Sequence, residues 1–222
     1  MFDLLIDFLF PKTCVACGKY GVDLCKNCLF DLSIADQVCP MCGEDSPMGW
    51  VHRGCKNRLG MDGLIVIFDY QDDKVRSVID GIKFGFNKRL AERVLKKFKF
   101  ETGEVFDYLV PVPLHYYREN WRGFNQAEVI ASFVAKKMKL DVKDVIKRKR
   151  KTKQQSLIRD RVLREKNVKG AFEIQKDIAC LLRGSKVLLV DDVFTSGADM
   201  RECTRVLKKA GASLVWGIAL AH

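Results

Sequence analysis

The chain has 222 residues, 48% of them hydrophobic, which is enough for one globular core and a small appended domain. No apolar run is long enough to span a bilayer, and residues 2–10 are too short and too acidic for a secretory signal, which predicts a cytoplasmic protein without membrane insertion. The net charge of +11 is uneven, because residues 1–58 hold six Lys/Arg and seven Asp/Glu whereas the remainder holds 33 and 21. This asymmetry favours a polyanion partner for the second part, although a basic soluble surface would give the same count.

A cysteine-rich segment follows a short helix that is predicted to end before Pro11. Seven of the nine cysteines lie between positions 14 and 55, in pairs separated by two residues. The candidate ligands are Cys14, Cys17, Cys25, Cys28, Cys39, Cys42, His52 and Cys55. Four such pairs predict two closed, structural zinc sites, with either sequential or interleaved pairing, and His52 is the least certain ligand. Metal binding would supply folding energy that this short segment lacks.

Strands and helices alternate in the rest of the chain. In chain order the pattern predicts a strand at 63–70, helices at 73–84 and 88–99, a strand at 106–112, a helix at 125–139, a strand at 186–190, a helix at 198–210 and a strand at 214–220. This alternation is typical of an α/β fold with a mostly parallel sheet whose faces are covered.

Two stretches between these elements carry possible binding groups. The strand at 106–112 leads into Pro113 and Leu114. Beyond them, Arg122 is a candidate for phosphate contacts, because guanidinium matches that geometry; the alternative is a basic surface loop with Asn125 as a helix cap. Residues 147–153 hold six cations in seven positions: Lys147, Arg148, Lys149, Arg150, Lys151 and Lys153. We expect this run to remain unpacked, either as a contact for the phosphates of single-stranded DNA or as a solvated loop.

The segment from Val187 to Gly197 carries the clearest chemical signal. An apolar run ends in Asp191 and Asp192, a Thr-Ser-Gly turn follows, and a helix begins. Two carboxylates can accept hydrogen bonds from vicinal ribose hydroxyls, and the turn offers backbone N–H groups and a helix N-terminus to a phosphate. The alternative is an ordinary strand followed by a capped helix.

This segment resembles the phosphoribosyl pyrophosphate (PRPP) signature of type I phosphoribosyltransferases. The resemblance implies PRPP contacts at Asp191, Asp192, Val193, Phe194, Thr195, Ser196, Gly197 and Ala198, with Pro113, Leu114 and Arg122. It also implies that Asp191, Asp192 and Arg122 act in any catalysis, and that Mg²⁺ accompanies PRPP. Asp199 departs from the pattern, which usually has Thr or Ser, and a carboxylate there would repel a bound phosphate.

Over nearly its whole length the chain is similar to the ComF family. The resemblance rests on the paired cysteines, Lys83-Phe84, Val110-Pro-Val-Pro, Arg122-Gly-Phe-Asn-Gln and Asn167-Val-x-Gly-Ala-Phe. It implies a zinc-ribbon domain at 1–58 and a type I phosphoribosyltransferase-like domain at 59–222, a mostly parallel sheet with helices on both faces. It also implies handling of single-stranded DNA in natural transformation, where DNA-uptake or recombination proteins are possible partners.

Two functions fit these features. In the first, the chain is a PRPP-binding module whose basic second part holds single-stranded DNA. We favour this function, because the sequence shows no pocket for an acceptor substrate and the positive charge is concentrated in the second part. In the second, it is an enzyme that transfers ribose 5-phosphate from PRPP to a base or amine. Because the printed chain ends after its last predicted strand, we expect any cover over an acceptor to come from the zinc segment or from residues 115–172.

Overall fold

A parallel sheet of five strands forms the centre of the computed structural model, which describes residues 12–56, 60–84, 88–98, 103–114, 124–153, 158 and 160–222. The strands are β1 (Gly63–Phe68), β2 (Tyr108–Pro111), β3 (Asp141–Val142), β6 (Lys186–Val193) and β7 (Leu214–Ala221), in the spatial order β1-β7-β6-β2-β3. A separate antiparallel ribbon pairs β4 (Ile146–Arg148) with β5 (Phe172–Ile174). The helix predicted at 2–10 lies outside the described residues.

Six α-helices are present in these parts of the chain. They are α1 (Lys26–Phe30), α2 (Asp73–Phe84), α3 (Lys88–Leu95), α4 (Gln126–Met138), α5 (Arg161–Val168) and α6 (Ala198–Lys209), with short 3-10 helices at Pro47–Gly49 and Lys176–Leu182. Every strand and helix predicted after residue 60 is found, with ends that differ by a few residues. Within the described ranges, none of the helices has the length and apolarity needed to cross a membrane.

Helices cover both faces of the sheet, as the α/β prediction required. In β6, Leu188 and Val190 belong to one buried cluster with residues of α2, α3 and α4. Val187 and Leu189 belong to a second cluster with residues of α6. Successive side chains of a strand point to opposite faces, so the continuous apolar run of β6 fits a strand that is buried on both sides.

The cysteine-rich segment packs against the outer edge of β1. Isolated bridges join Ile34 to Phe68 and Trp50 to Gly63, and the Gln37 amide both donates to and accepts from the backbone of Val66. Residues 12–56, hereafter the zinc module, therefore cover an edge strand that would otherwise expose unpaired backbone groups. The predicted boundary between residues 58 and 59 stays a prediction.

Candidate functional site

Asp191 and Asp192 lie near the carboxyl end of β6, where Asp191 pairs in register with Ala219 of β7. The backbone N–H of Asp192 donates to Asp191 Oδ1 at 2.8 Å. Lys83, at the end of α2, places its Nζ 3.4 Å from Asp192 Oδ2. Two carboxylates and one ammonium group thus meet at the edge of the sheet where ligands of open α/β folds bind.

The carboxyl of Asp191 is in an unfavourable environment for a negative charge. Burial raises its pKa well above its usual range, and the negative charges of Asp192 and Asp199 raise it further, against the smaller effects of the Asp192 N–H and Lys83. Asp191 keeps partial access to solvent. A ligand that supplies hydroxyl donors or a cation would therefore relieve an electrostatic cost that the protein bears alone.

The turn that follows β6, residues 194–197, is shaped to leave backbone groups open to an anion. Gly197 is the N-cap of α6, with φ of 68°, and it has no side chain to accept from the first N–H groups of the helix. Phe194 is buried, and a Cβ built on Gly197 would lie 2.4 Å from its ring. Together with Thr195 and Ser196, these residues line a hollow of about 20 Å³ at the helix N-terminus. The arrangement suits a phosphate group.

A buried ion pair lies beside this turn. Asp199 Oδ1 is 3.1 Å from Arg148 Nη2, and the Arg148 side chain is 3% exposed. The guanidinium carbon lies 4.8 Å from the centre of the Phe172 ring, and Nη2 also donates to Thr152 Oγ1 at 2.5 Å. Arg148 thus neutralises the carboxylate that was expected to repel a bound phosphate.

The chain after β2 begins next to the two carboxylates. Pro111 pairs with Val190, and the N–H of Val112 donates to the Val190 carbonyl. Pro113 and Leu114, both half-buried, therefore start beside the end of β6. Arg122 lies outside the described residues, so its assignment to phosphate contacts stays a prediction.

Asn125 is a helix cap, as the alternative interpretation proposed. Its side chain accepts a hydrogen bond from the N–H of Ala127 and donates to the carbonyl of Val112. This amide therefore ties the start of α4 to the end of β2, where the chain enters the site.

The expectation that the basic run 147–153 stays unpacked is wrong at Arg148, which lies in β4 and is enclosed. The exposed members are Lys147, Lys149, Arg150, Lys151 and Lys153. Lys147 and Lys149 both pair with Glu173 of β5, at 3.2 and 3.4 Å. The antiparallel pairing of β4 with β5 brings this acid, 24 residues along the chain from Lys149, next to both lysines; contacts of that kind are not visible in a local charge count.

The zinc ligands fall into two groups along the chain. One group consists of Cys14, Cys17, Cys25 and Cys28, and the other of Cys39, Cys42 and Cys55, with the ligand atoms of each group within 4.8 Å of one another. His52 Nδ1 lies 3.3 Å from Cys42 Sγ. Four ligands about 2.3 Å from a tetrahedral zinc ion would be spaced at roughly 3.8 Å, so both groups fit the metal and favour sequential pairing.

Backbone hydrogen bonds prepare some of these thiols for the metal. Although burial alone raises the pKa of Cys14, N–H groups of Cys25, Ala16 and Cys17 hold it at about 6. Cys39, which is also buried, has a pKa of about 7 for the same kind of reason. Thiolates, rather than thiols, bind zinc, so these two positions favour metal capture near neutral pH.

A second cavity, of about 440 Å³, lies between the zinc module and the carboxyl ends of β1 and β7. Residues 34–40 supply one wall, and Asp69, Tyr70 and His222 are part of the other. The ring of His222 contacts that of Phe194 edge to face, with 5.4 Å between centres, so this cavity adjoins the 194–197 turn. It had no counterpart in the sequence analysis, and neither did the contact of Lys83 with Asp192, because both depend on how distant segments pack.

Comparison with known families identifies both parts of the chain. Residues 5–56 match the family model described as a double zinc ribbon domain. Residues 125–222 match the phosphoribosyl transferase domain. The first match and the two cysteine groups support zinc binding, and the second agrees with the parallel sheet and the position of Asp191 and Asp192.

Curated relatives extend over nearly the whole chain. DNA utilization protein YhgH of Escherichia coli (strain K12) is 27% identical over 215 residues, covering 90% of each chain. Competence protein F of Haemophilus influenzae is 26% identical and covers 94% of this chain and 90% of its own. Competence protein ComFC of Bacillus subtilis is 25% identical and covers 85% and 79%.

A solved structure described as the allosteric regulatory enzyme of purine biosynthesis matches 60% of this chain with 19% identity and a TM-score of 0.37, and this chain spans 24% of it. A score this low supports no conclusion about function. The order of the two matched domains, the two cysteine groups and the similarity to competence proteins all indicate one arrangement, with the zinc-binding part first. The chain therefore joins a double zinc ribbon domain to a phosphoribosyltransferase domain, and over most of its length it resembles the competence and DNA utilization proteins of the ComF type.

Proposed function

We propose that this protein binds PRPP together with Mg²⁺ and acts in the handling of single-stranded DNA during natural transformation. One observation carries the first part: two carboxylates at the end of β6 face a helix N-terminus whose cap residue, Gly197, leaves the backbone N–H groups open. The names of the competence and DNA utilization relatives, and the positive charge of the second domain, support the second part.

Each chemical group of PRPP has a matching part of the site. Asp191 and Asp192 would accept hydrogen bonds from the ribose hydroxyls, and the 194–197 turn would hold the 5′-phosphate. The pyrophosphate would lie towards Pro113 and Leu114, where carboxylate oxygens of the site suit the Mg²⁺ that it carries. In this arrangement the ribose hydroxyls and Mg²⁺ would stabilise the carboxylate of Asp191, whose pKa is raised mainly by burial and further by the charges of Asp192 and Asp199.

Calorimetric titration with PRPP and Mg²⁺ tests this site. We expect binding by the unmodified protein and none by Asp191→Asn with Asp192→Asn, at unchanged zinc content. Asp73→Asn with Asp177→Asn, which changes two exposed carboxylates elsewhere, is the matched control and should bind normally. Equal affinity in all three proteins would place PRPP somewhere else.

The cavity beneath the zinc module favours transfer of ribose 5-phosphate as a second candidate function. A nitrogen of an acceptor held there would attack C1′ of PRPP as the bond from C1′ to pyrophosphate breaks. His222, which is exposed at the edge of the cavity, could take the proton lost by that nitrogen, since partial desolvation lowers the pKa of its imidazole and favours the neutral form. The zinc module would then supply the cover expected over an acceptor.

Pyrophosphate release distinguishes the two candidates. The protein is incubated with PRPP, Mg²⁺ and a panel of bases and amines. Release that depends on one acceptor and is lost in His222→Phe, which keeps an aromatic ring against Phe194, would support transfer. If no acceptor raises release above that of buffer, PRPP acts as a ligand only.

A further inference from the structure

A groove of about 640 Å³ runs between α5 and α6 on the face of the sheet that carries the β4-β5 ribbon. It follows α6 from Ala198 to Lys208, a distance of about 15 Å at the rise of an α-helix. The end of the groove near Ala198 adjoins the 194–197 turn, because Arg201 donates to the carbonyl of Ser196 at 2.8 Å. The same guanidinium pairs with Glu165 of α5 at 2.6 Å, which joins the two walls.

The lining of this groove is basic. Its cations are Lys166, Lys169, Arg201, Arg205 and Lys208, against two carboxylates, those of Glu165 and Glu202. Lys166 and Lys169 are exposed, and they form no ion pair within the part of the chain that the structure describes. In the same part of the chain, two buried atoms of the lining, Arg201 Nε and Thr204 Oγ1, lack hydrogen-bond partners. Carboxylates already pair with Arg201, Arg205 and Lys208, so an anion in the groove would chiefly compensate the charges of Lys166 and Lys169.

We infer that this α5–α6 groove is the binding track for the sugar–phosphate backbone of single-stranded DNA, an assignment that rests on the proposed role in DNA handling. No aromatic side chain is among the described residues that line it, so contacts go to phosphates and not to stacked bases. Recognition is therefore independent of sequence and sensitive to salt.

The groove is a better track than the run 147–153. In that run Arg148 is enclosed, and Lys147 and Lys149 share Glu173. Arg150 donates to the carbonyls of Asn167 and Lys169, which holds it against the end of α5. Arg150 of the run therefore packs against the end of α5, which forms one wall of the groove, whereas Lys166 and Lys169 are exposed and line the groove itself.

Anisotropy of a fluorescent oligothymidylate, measured with the zinc-loaded full chain over a series of KCl concentrations, tests the assignment. Lys166→Gln with Lys169→Gln should lower the slope of log K against log salt by about 1.4, or 0.7 for each lost phosphate contact. Lys166→Glu with Lys169→Glu should weaken binding further. Lys96→Gln with Lys136→Gln, which changes two exposed lysines on the opposite side of the sheet, should match the unmodified protein.

Each result has one meaning, provided that the variants keep their zinc content and PRPP affinity. If the unmodified protein binds the strand but the groove variants keep its slope, the track assignment is wrong and the proposed function stands. A larger loss in Lys147→Gln with Lys149→Gln would also overturn the assignment. If the unmodified protein binds no single strand at any salt concentration, both the assignment and the DNA-handling role fail.

Discussion

Gly197 is the residue on which the 194–197 turn depends most directly. Its backbone has φ of 68°, a conformation that costs other residues about 1–2 kcal/mol. A methyl group there would also collide with the buried ring of Phe194. We expect Gly197→Ala to lower stability by more than the conformational cost alone and to reduce PRPP affinity at least tenfold, as measured by urea denaturation and calorimetry.

Gly184 offers a control with the same backbone strain and no collision. Its φ is 72°, and an added Cβ would meet no atom within 4 Å. Gly184→Ala should therefore lose only about 1–2 kcal/mol and bind PRPP normally. If the two variants behave alike, the packing of Phe194 against Gly197 has no role in the shape of the turn.

Asp191 should make the folded protein less stable at neutral pH than it would be with a neutral side chain. Because burial raises its pKa in the folded state, this carboxyl binds a proton more tightly there than in the unfolded chain, so its contribution to stability falls as pH rises from the usual carboxyl range through the raised pKa. Asp191→Asn should raise Tm at pH 7 by about 2–4 °C, the change that 1 kcal/mol produces in a chain of this size. The gain should shrink at pH 4, and a lower Tm at pH 7 would contradict it.

The ion pair of Arg148 with Asp199 joins β4 to α6. Removing one partner of a buried pair leaves the other charge without compensation, so Arg148→Met should cost about 3 kcal/mol in urea denaturation and weaken PRPP binding. Arg148→Met with Asp199→Thr should recover part of both losses. Lys147→Met, which breaks an exposed pair with Glu173, should cost less than about 1 kcal/mol. If the double variant costs the sum of the costs of Arg148→Met and Asp199→Thr measured singly, the pair is not coupled.

Elements with strong periodicity could be predicted from the chain, and those held by distant contacts could not. The helix at 73–84 has a regular apolar face, and its observed bounds, Asp73–Phe84, are those predicted. Residues 141–182 lack such a pattern, because β4 and β5 have three residues each and are stabilised by pairing with each other. Their charged side chains indicated a loop, whereas Arg148 is buried by Phe172 and Asp199.

The candidate site shows the same division. Asp191, Asp192 and the 194–197 turn are adjacent in the chain, so a local motif was enough to find them. Lys83 reaches them from α2 and His222 from the end of β7, and only the order of strands in the sheet brings these groups together. The cavity between the zinc module and the sheet was unpredictable for this reason as well.

The zinc module and the sheet form one packed unit through a pair of tryptophans. Trp216 of β7 is fully buried, and Trp50 of the zinc module packs on it edge to face with 4.8 Å between ring centres. Gly63 of β1 makes room for this contact, since a Cβ there would lie 2.5 Å from Trp216. Folding of the zinc module is therefore linked to the core under the proposed PRPP site.

Trp50→Ala should accordingly destabilise the whole chain without loss of metal. Trp50 is half-buried, so we expect a cost of about 2 kcal/mol, below that of a fully buried tryptophan, and a fall in Tm of about 4–8 °C. Tyr20→Ala, in the same module but 75% exposed, should change Tm by less than about 2 °C. Zinc content, measured by atomic emission, should be unchanged in both variants. An unaltered Tm in Trp50→Ala would mean that the module folds independently of the sheet, and a loss of zinc would mean that this tryptophan stabilises the metal sites themselves and not their attachment.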